Sequence, residues 1–154
     1  VYYHFTNRNG LIEAVIDDYV EDLVESVIVW NEARVFGDTP GSLKKCIQTF
    51  RYSLYDRAGR PRPVIAVLEE LGVRDAFDVR ATRETADCLA NHIAKEYAAY
   101  HRIEIELVHE MFCVVIFGLV GLVKMNPRIE DDVLMKVIEQ TLRLDMVPIE
   151  MGEG

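Results

Sequence analysis

Residues 11–36 read LIEAVIDDYVEDLVESVIVWNEARVF and show the pattern that the rest of the chain repeats. Apolar side chains recur every three or four positions, as at Tyr19, Leu23, Val27 and Trp30, and acidic side chains fill many positions between them. This spacing puts the apolar residues on one face of an α-helix and the acids on the other. The stretch therefore predicts a long amphipathic helix from 11 to 36.

Proline and glycine residues separate this helix from further segments of the same periodicity. All five prolines lie between periodic segments, where they avoid the cost of about 3 kcal/mol that proline carries inside a helix. Asp38 or Thr39 is the expected N-cap of the second helix, with Pro40 in its first turn. The other predicted helices cover 43–54, 64–71, 76–101, 104–125 and 130–146. The sequence thus predicts an all-α protein of about six helices, without a strand pattern or an internal linker.

Composition and charge restrict what this chain can bind by itself. It has 154 residues, half of them apolar, and a net charge of −9, which should repel nucleic acid and anionic membranes. Its longest uninterrupted apolar run, 111–123, is shorter than the roughly 20 residues of a spanning helix. The three cysteines are widely spaced and match neither a disulfide framework nor a zinc motif. We therefore expect a cytoplasmic protein with no membrane partner.

The opening residues, VYYHFTNRNGL, place a basic side chain where helix electrostatics disfavour it. Asn7 is a plausible N-cap, so Arg8 falls in the first turn, where a cation opposes the helix dipole. One interpretation is a bound phosphate held by backbone N–H groups, Arg8 and His4. The other is that Tyr3 and Phe5 pack against the start of the helix while Arg8 is solvated. The residues alone leave both open.

The motif Tyr2-Tyr3-His4-Phe5-x-x-Arg8-x-x-Leu11, followed by an amphipathic helix, resembles the TetR family of bacterial transcription regulators. In that family the motif spans the end of the DNA-recognition helix and the start of the fourth helix. The resemblance implies that residues 1–10 are the remnant of a helix-turn-helix DNA-binding domain, and that 11–154 form an effector-binding and dimerisation domain. It further implies DNA contacts from Tyr2, Tyr3, His4 and Arg8. This sequence departs from the family pattern in Arg8, where lysine is usual, and in Gly10, a weak helix former.

The run 111–123 is apolar on all sides, so it should be buried on nearly every side. Gly118 and Gly121 would allow another helix to approach closely. They could be packing notches inside a monomer, or part of an interface between two subunits. The TetR resemblance implies the second, because the last two long helices of that family pair with their copies in a four-helix bundle. The predicted homodimer interface is Val114, Phe117, Gly118, Gly121, Leu122, Val133, Val137, Ile138 and Leu142.

The resemblance also implies a pocket for a small-molecule effector of unknown identity. Because aromatic and apolar side chains line such sites, the predicted pocket residues are Phe50, Leu54, Phe77, Leu89, Tyr97, Tyr100, His109 and Phe112. The expected function is a ligand-responsive repressor that releases operator DNA when it binds a small apolar or amphipathic molecule. No catalytic residue, metal or cofactor is expected, so the chain should not be an enzyme.

The main alternative is a helical-bundle protein that binds a metal or a lipid, or an enzyme of that form. His92, His101 and His109 are the candidate ligands, but only one Glu-x-x-His pair exists, Glu106 with His109. A di-iron bundle needs two such pairs, and the His-Glu-x-x-His motif of zinc proteases is absent.

A pure interaction module without a pocket is a third possibility. Finally, the basic stretch 43–63 is either a solvated surface or a guide for an anionic effector.

Overall fold

The computed structural model describes residues 8–35 and 37–147, and within them it contains α-helices and no β-strand. The all-α prediction is confirmed. The helices are α1 (Arg8–Ala33), α2 (Thr39–Leu54), α3 (Pro63–Glu70), α4 (Arg74–Tyr100), α5 (Val108–Met125) and α6 (Asp131–Leu142).

The start of α2 follows from three residues before and inside its first turn. The Asp38 carboxylate accepts a hydrogen bond of 3.1 Å from the backbone N–H of Gly41, and Pro40 occupies the first turn. A side-chain acceptor at this position satisfies one of the N–H groups that the helix itself leaves unpaired. Of the two N-caps that the sequence predicts, Asp38 is the one that caps α2, and Thr39 is the first residue of the helix.

We expect Asp38→Ala to lower the free energy of unfolding by about 1 kcal/mol, because one N–H group of α2 loses its acceptor. Asp38→Asn retains an acceptor oxygen and should keep most of the stability. Urea unfolding followed by circular dichroism measures both variants. Equal stability of the alanine and asparagine variants would contradict a capping role.

The connection between α4 and α5 differs from the prediction. Residues 101–107 are not helical, and Leu107 has a left-handed backbone with φ 53°. Arg143, with φ 51°, also has a left-handed backbone, and it directly follows Leu142, the last residue of α6. A left-handed residue cannot continue a right-handed helix, so the helices predicted over 104–125 and 130–146 are both shorter than expected.

Helices α1 and α4 run parallel to each other, as two ion pairs show. Arg80 near the start of α4 pairs with Asp17 near the start of α1, and Arg34 at the end of α1 pairs with Glu96 near the end of α4. α2 packs on α1 and α6, and α5 packs on α4 and α6. The core between them is apolar, with its most deeply buried large side chains at Ile16, Val20, Ile65, Leu68 and Leu134.

Two arginines are buried in this core and join separate elements. Arg51 of α2 donates to Asp131 at the start of α6 (3.0 Å) and to the carbonyl of Pro127 (2.9 Å). The guanidinium of Arg74 donates to Asp78 (2.8 Å) and to the Tyr55 hydroxyl (3.1 Å). Arg51 therefore has a structural role, and it leaves the basic stretch 43–63 with one fewer exposed charge.

Candidate functional site

A cavity of about 200 Å³ lies among α1, α2, α4, α5 and α6, and we call it the α4 cavity. Its wall is almost entirely apolar, with Val27, Ile47, Ile116 and Leu119 among the lining residues. It is larger than the engineered cavity of about 150 Å³ that binds benzene in another protein. A cavity this size can hold a small organic molecule.

Most of the predicted pocket residues lie in the wall of this cavity: Phe50, Leu89, Tyr97, Tyr100 and Phe112. Three do not, and the prediction is corrected for them. Leu54 and Phe77 are packed in the core, with 4% and 2% of their surface exposed. His109 instead places its Nε2 atom 2.7 Å from Oδ1 of Asp87 on the neighbouring helix α4. Apolar periodicity identifies buried positions, but it does not tell which of them border empty space.

The cavity is elongated, because α4 lines it over more than four turns. Thr85, Leu89, Ile93, Tyr97 and His101 all line it, and successive members are four residues apart. Neighbours at this spacing lie on the same side of a helix, and the series as a whole winds about 160° around α4. From Thr85 to His101 the rise of the helix is about 24 Å. The length of the cavity is therefore much greater than the diameter of a sphere of the same volume.

The end of the cavity near the last turns of α1 and α4 carries most of its charged groups. Arg34 pairs with Glu96, and its guanidinium lies 5.9 Å from the centre of the Trp30 ring. Burial lowers the pKa of Arg34 from its ordinary value. The Trp30 indole N–H donates to the carbonyl of Ser42 (3.0 Å), which joins α1 to α2. Asp38 also lines this end.

Two residues that line the cavity each have a buried polar atom without a hydrogen-bond partner within the described residues. These atoms are Oγ1 of Thr85 and Nδ1 of His101. Thr85 is only 2% exposed, and the His101 side chain is 9% exposed. The His101 ring is stacked on Tyr97, with ring centres 4.5 Å apart, and its Nε2 atom is 4.0 Å from Asp145. A buried polar atom without a partner is costly, so both atoms favour a bound molecule that could satisfy them.

Sequence reasoning missed Trp30, Thr85 and His101 as pocket residues. For Thr85 and His101 the available signal was the i, i+4 series along α4, which has a polar side chain at each end of an otherwise apolar and aromatic series. The alternation of Ile103 and Ile105 with exposed Glu104 and Glu106 was a second signal, because it is typical of extended chain. Both isoleucines line the cavity.

Cys46 also lines the cavity, and its surroundings keep the thiol protonated. Burial, and then the nearby Cys88, raise the pKa of Cys46 to about 12. Burial also raises the pKa of Cys88 and of Cys113, the latter with a contribution from Glu110 and Asp87. The reactive form of cysteine is the thiolate, so none of these thiols is activated as a nucleophile.

We expect iodoacetamide to modify Cys46 in the folded protein more slowly than Cys88 or Cys113, because the pKa of its thiol is raised to about 12. The raised folded-state pKa also has a consequence for stability. Between the ordinary thiol pKa of about 9 and about 12, only the unfolded state ionises Cys46, so stability should fall as pH rises through this range. Mass spectrometry of partly labelled protein measures the order of modification. Labelling of Cys46 in folded protein before Cys88 and Cys113 would contradict its raised pKa.

The metal alternative gains nothing from the geometry. Among the described residues no three His, Cys, Asp or Glu side chains form a group that could hold a metal ion. His92 is exposed on α4, and His101 and His109 have the separate surroundings described above. Of the predicted DNA-binding residues, Tyr2, Tyr3 and His4 lie outside the described residues, and Arg8 is exposed as the first residue of α1.

An apolar surface is exposed along α5 and α6, and we call it the α5/α6 face. Its most exposed members are Val114 (59%), Phe117 (45%), Met125 (77%) and Val133 (47%). Val137 is also exposed, and Leu122 is partly buried beside them. A Cβ atom added to Gly118 or Gly121 would meet nothing within 4 Å. Within the described chain these glycines are therefore not packing notches.

Two residues predicted for the dimer interface do not belong to this face. Ile138 and Leu142 are 4% and 7% exposed and line the α4 cavity instead. They lie on the side of α6 that faces the rest of the chain, whereas Val133 and Val137 lie on the other side. The prediction is corrected for these two residues.

Helix α5 is long and apolar enough to cross a membrane, judged by length and composition alone. Only 22% of its residues are buried inside the chain. The core helix of a soluble protein can pass the same test, and so can a helix whose outer side is covered by a partner. The exposed part of α5 is the α5/α6 face.

No protein-family model, curated protein or solved structure matches this chain.

Proposed function

We propose that this chain is the effector-binding and dimerisation part of a cytoplasmic, TetR-like transcription regulator. The observation that carries the proposal is the position of the α4 cavity along α1. Val27, Trp30 and Arg34 of α1 line the cavity, whereas Arg8 begins the same helix about 33 Å away from Trp30. The motif that resembles the end of a DNA-recognition helix and the start of the next helix spans this start. One helix would therefore connect the cavity with the end that we assign to the DNA-binding domain.

The α5/α6 face supports the dimer that such a regulator needs. It is apolar, it is not covered by the chain itself, and its two glycines leave room for a close approach. Exposed apolar patches of this kind mark interaction sites. A second copy of the chain is the occupant we propose, because a two-fold axis brings the same face of each subunit against the other.

The proposed mechanism is a shift between two conformational states. Two recognition helices contact half-sites one helical turn apart, about 34–36 Å, only when the subunits are correctly spaced. An effector that binds better to the other state would change the positions of Trp30 and Arg34 and so the direction of α1. DNA affinity then falls by the ratio of the effector's affinities for the two states. No cofactor and no catalytic step are involved.

The test uses the full-length gene product and the DNA upstream of its own gene. Fluorescence anisotropy should show binding, and Arg8→Ala should weaken binding equally for all sequences and reduce its salt dependence, as expected of a phosphate contact. Arg102→Ala is the matched control, because Arg102 is an exposed arginine at the opposite end of the parallel helices. Equal loss in both variants, or unchanged binding in both, would contradict the assignment of Arg8.

A helical lipid carrier is the second candidate, and the elongated shape of the α4 cavity favours it. The two candidates differ in what ligand binding changes. A carrier binds its ligand without any effect on DNA, whereas the regulator loses operator affinity when the ligand is added. The same anisotropy titration, repeated with a bound ligand, separates them.

A further inference from the structure

From the α4 cavity we infer that its ligand is an elongated, uncharged molecule with an apolar body and a hydrogen-bonding group at each end. This inference rests on the ligand-binding part of the proposed function and is independent of DNA binding. It follows from the length of the cavity, from the two unpartnered polar atoms in its wall, and from the charge at one end.

Residues of α4 line the cavity over a long part of the helix. Thr85 and His101 are the first and last of the i, i+4 series, about 24 Å apart along the helix axis. Between them the wall is made of apolar and aromatic side chains, Leu89, Ile93 and Tyr97. A volume of about 200 Å³ extended over this length leaves a channel for a chain-like molecule rather than a chamber for a compact one.

The polar atoms define the two ends of the ligand. Oγ1 of Thr85 can donate or accept a hydrogen bond, and so can Nδ1 of His101, depending on its tautomer. Neither atom has a partner in the described part of the chain, and both belong to residues that line the cavity. Because leaving such groups unsatisfied costs free energy, a ligand that bonds to both gains affinity that a purely apolar one lacks.

The end of the cavity near His101 is charged. Arg34 there is already paired with Glu96, and Asp38 and Asp145 add negative charge near the same end. A carboxylate or phosphate on the ligand would lie near these acids. Arg34, which could neutralise it, is already paired with Glu96. A cationic group at the Thr85 end would lose its hydration without a charged partner, because the charged lining residues lie at the other end. Alcohol, ketone, ester or amide ends fit these surroundings better than charged ends.

The first experiment uses the unmodified chain and Trp30, its single tryptophan, as the reporter inside the cavity. Tetradecanediol is the elongated probe, since two hydrogen bonds added to its extended length approach the span from Thr85 to His101. We expect it to bind at least about tenfold more tightly than adamantanediol, which is compact, and than tetradecanedioate or tetradecanediamine, which are charged. Tighter binding of any of these three would overturn the inference.

The second experiment tests the two anchoring residues with matched controls on the same helix. Thr85→Val and His101→Phe should each weaken tetradecanediol binding by about tenfold, because each removes the unpartnered hydrogen-bonding atom and keeps the shape. Thr82→Val, equally buried but outside the cavity wall, and His92→Phe, exposed on α4, should change the affinity less than twofold. Unchanged affinity in both anchor variants would overturn the inference.

The outcomes also separate this inference from the proposed function. If tetradecanediol binds as expected but does not release DNA from the full-length protein, the ligand class is supported and the proposed regulator function is contradicted. If a compact or anionic compound binds in the cavity and releases DNA, the ligand class is contradicted and the regulator is supported.

Discussion

Replacing Arg74 by methionine is expected to lower the free energy of unfolding by about 3–5 kcal/mol, the loss that follows when one member of a buried ion pair is removed. Arg74 is 5% exposed and donates through Nε to Asp78 (2.8 Å) and through Nη2 to Tyr55 (3.1 Å). Burial alone would lower its pKa, but the hydrogen bonds to Asp78 and Tyr55 outweigh burial and raise it. The charged guanidinium is therefore well compensated where it lies.

The large effect comes from what the substitution leaves behind. Asp78 is 9% exposed, and without Arg74 its remaining cationic neighbour among the described residues is Lys124, 3.3 Å away. Glu69 also loses its partner, but it is half exposed and can be solvated. Replacing Asp78 by leucine in the same chain should recover part of the loss, since the buried carboxylate that has lost its more buried partner is then removed as well.

Arg80→Met is the matched control for this prediction. Arg80 is on the same helix and pairs with Asp17, but both partners are partly exposed. Its loss should cost no more than about 1 kcal/mol. Urea unfolding at a fixed protein concentration measures all three variants. Similar small losses for Arg74→Met and Arg80→Met would show that the buried network contributes little.

The helices could be predicted from the sequence because their ends carry local signals. Asp38 and Pro40 determine the start of α2, and the acids at the start of α6 favour a helix N-terminus there. The α4–α5 connection could not be predicted from helical periodicity, because apolar residues continue through it. Ile103 and Ile105 are apolar for another reason, since they cover the cavity from an extended segment.

The candidate site could be predicted only in part, because the sequence shows which residues are apolar but not how they fill space. Phe77 and Phe112 have the same chemistry and both lie on helical apolar faces. The core packs completely around Phe77, whereas the space beside Phe112 stays empty. Whether neighbouring side chains meet depends on the distances between helices that are remote in sequence, which no local pattern records.

Helix α6 shows why the predicted dimer interface was too wide. Its apolar residues form two faces, and the sequence does not separate the face that packs inward from the face left uncovered. Ile138 and Leu142 point to the cavity, and Val133 and Val137 are exposed. In the proposed dimer, α6 would thus contact the cavity on one side and the partner on the other. A ligand that shifts α6 could then change the spacing between subunits.

Phe117→Asp should weaken the proposed dimer by at least about a hundredfold, because Phe117 is a large, 45% exposed apolar side chain in the middle of the α5/α6 face. A two-fold axis would place the aspartate in the interface twice, where each carboxylate loses water. Sedimentation velocity over a range of concentrations measures the change. The monomer should remain folded, since Phe117 is not part of the core cluster.

Val29→Asp is the control for this substitution, because Val29 is an equally exposed apolar residue on α1, outside the α5/α6 face. It should leave the dimer unchanged. Gly118→Ala adds a second, independent measurement. In a lone monomer the added methyl group meets nothing within 4 Å and should stabilise α5 by up to about 1 kcal/mol. In the dimer it should hinder the approach of the partner helix and weaken association. A single-subunit particle for the unmodified chain, or an unchanged dimer in both Phe117→Asp and Gly118→Ala, would contradict the assignment of the α5/α6 face to a second copy of the chain.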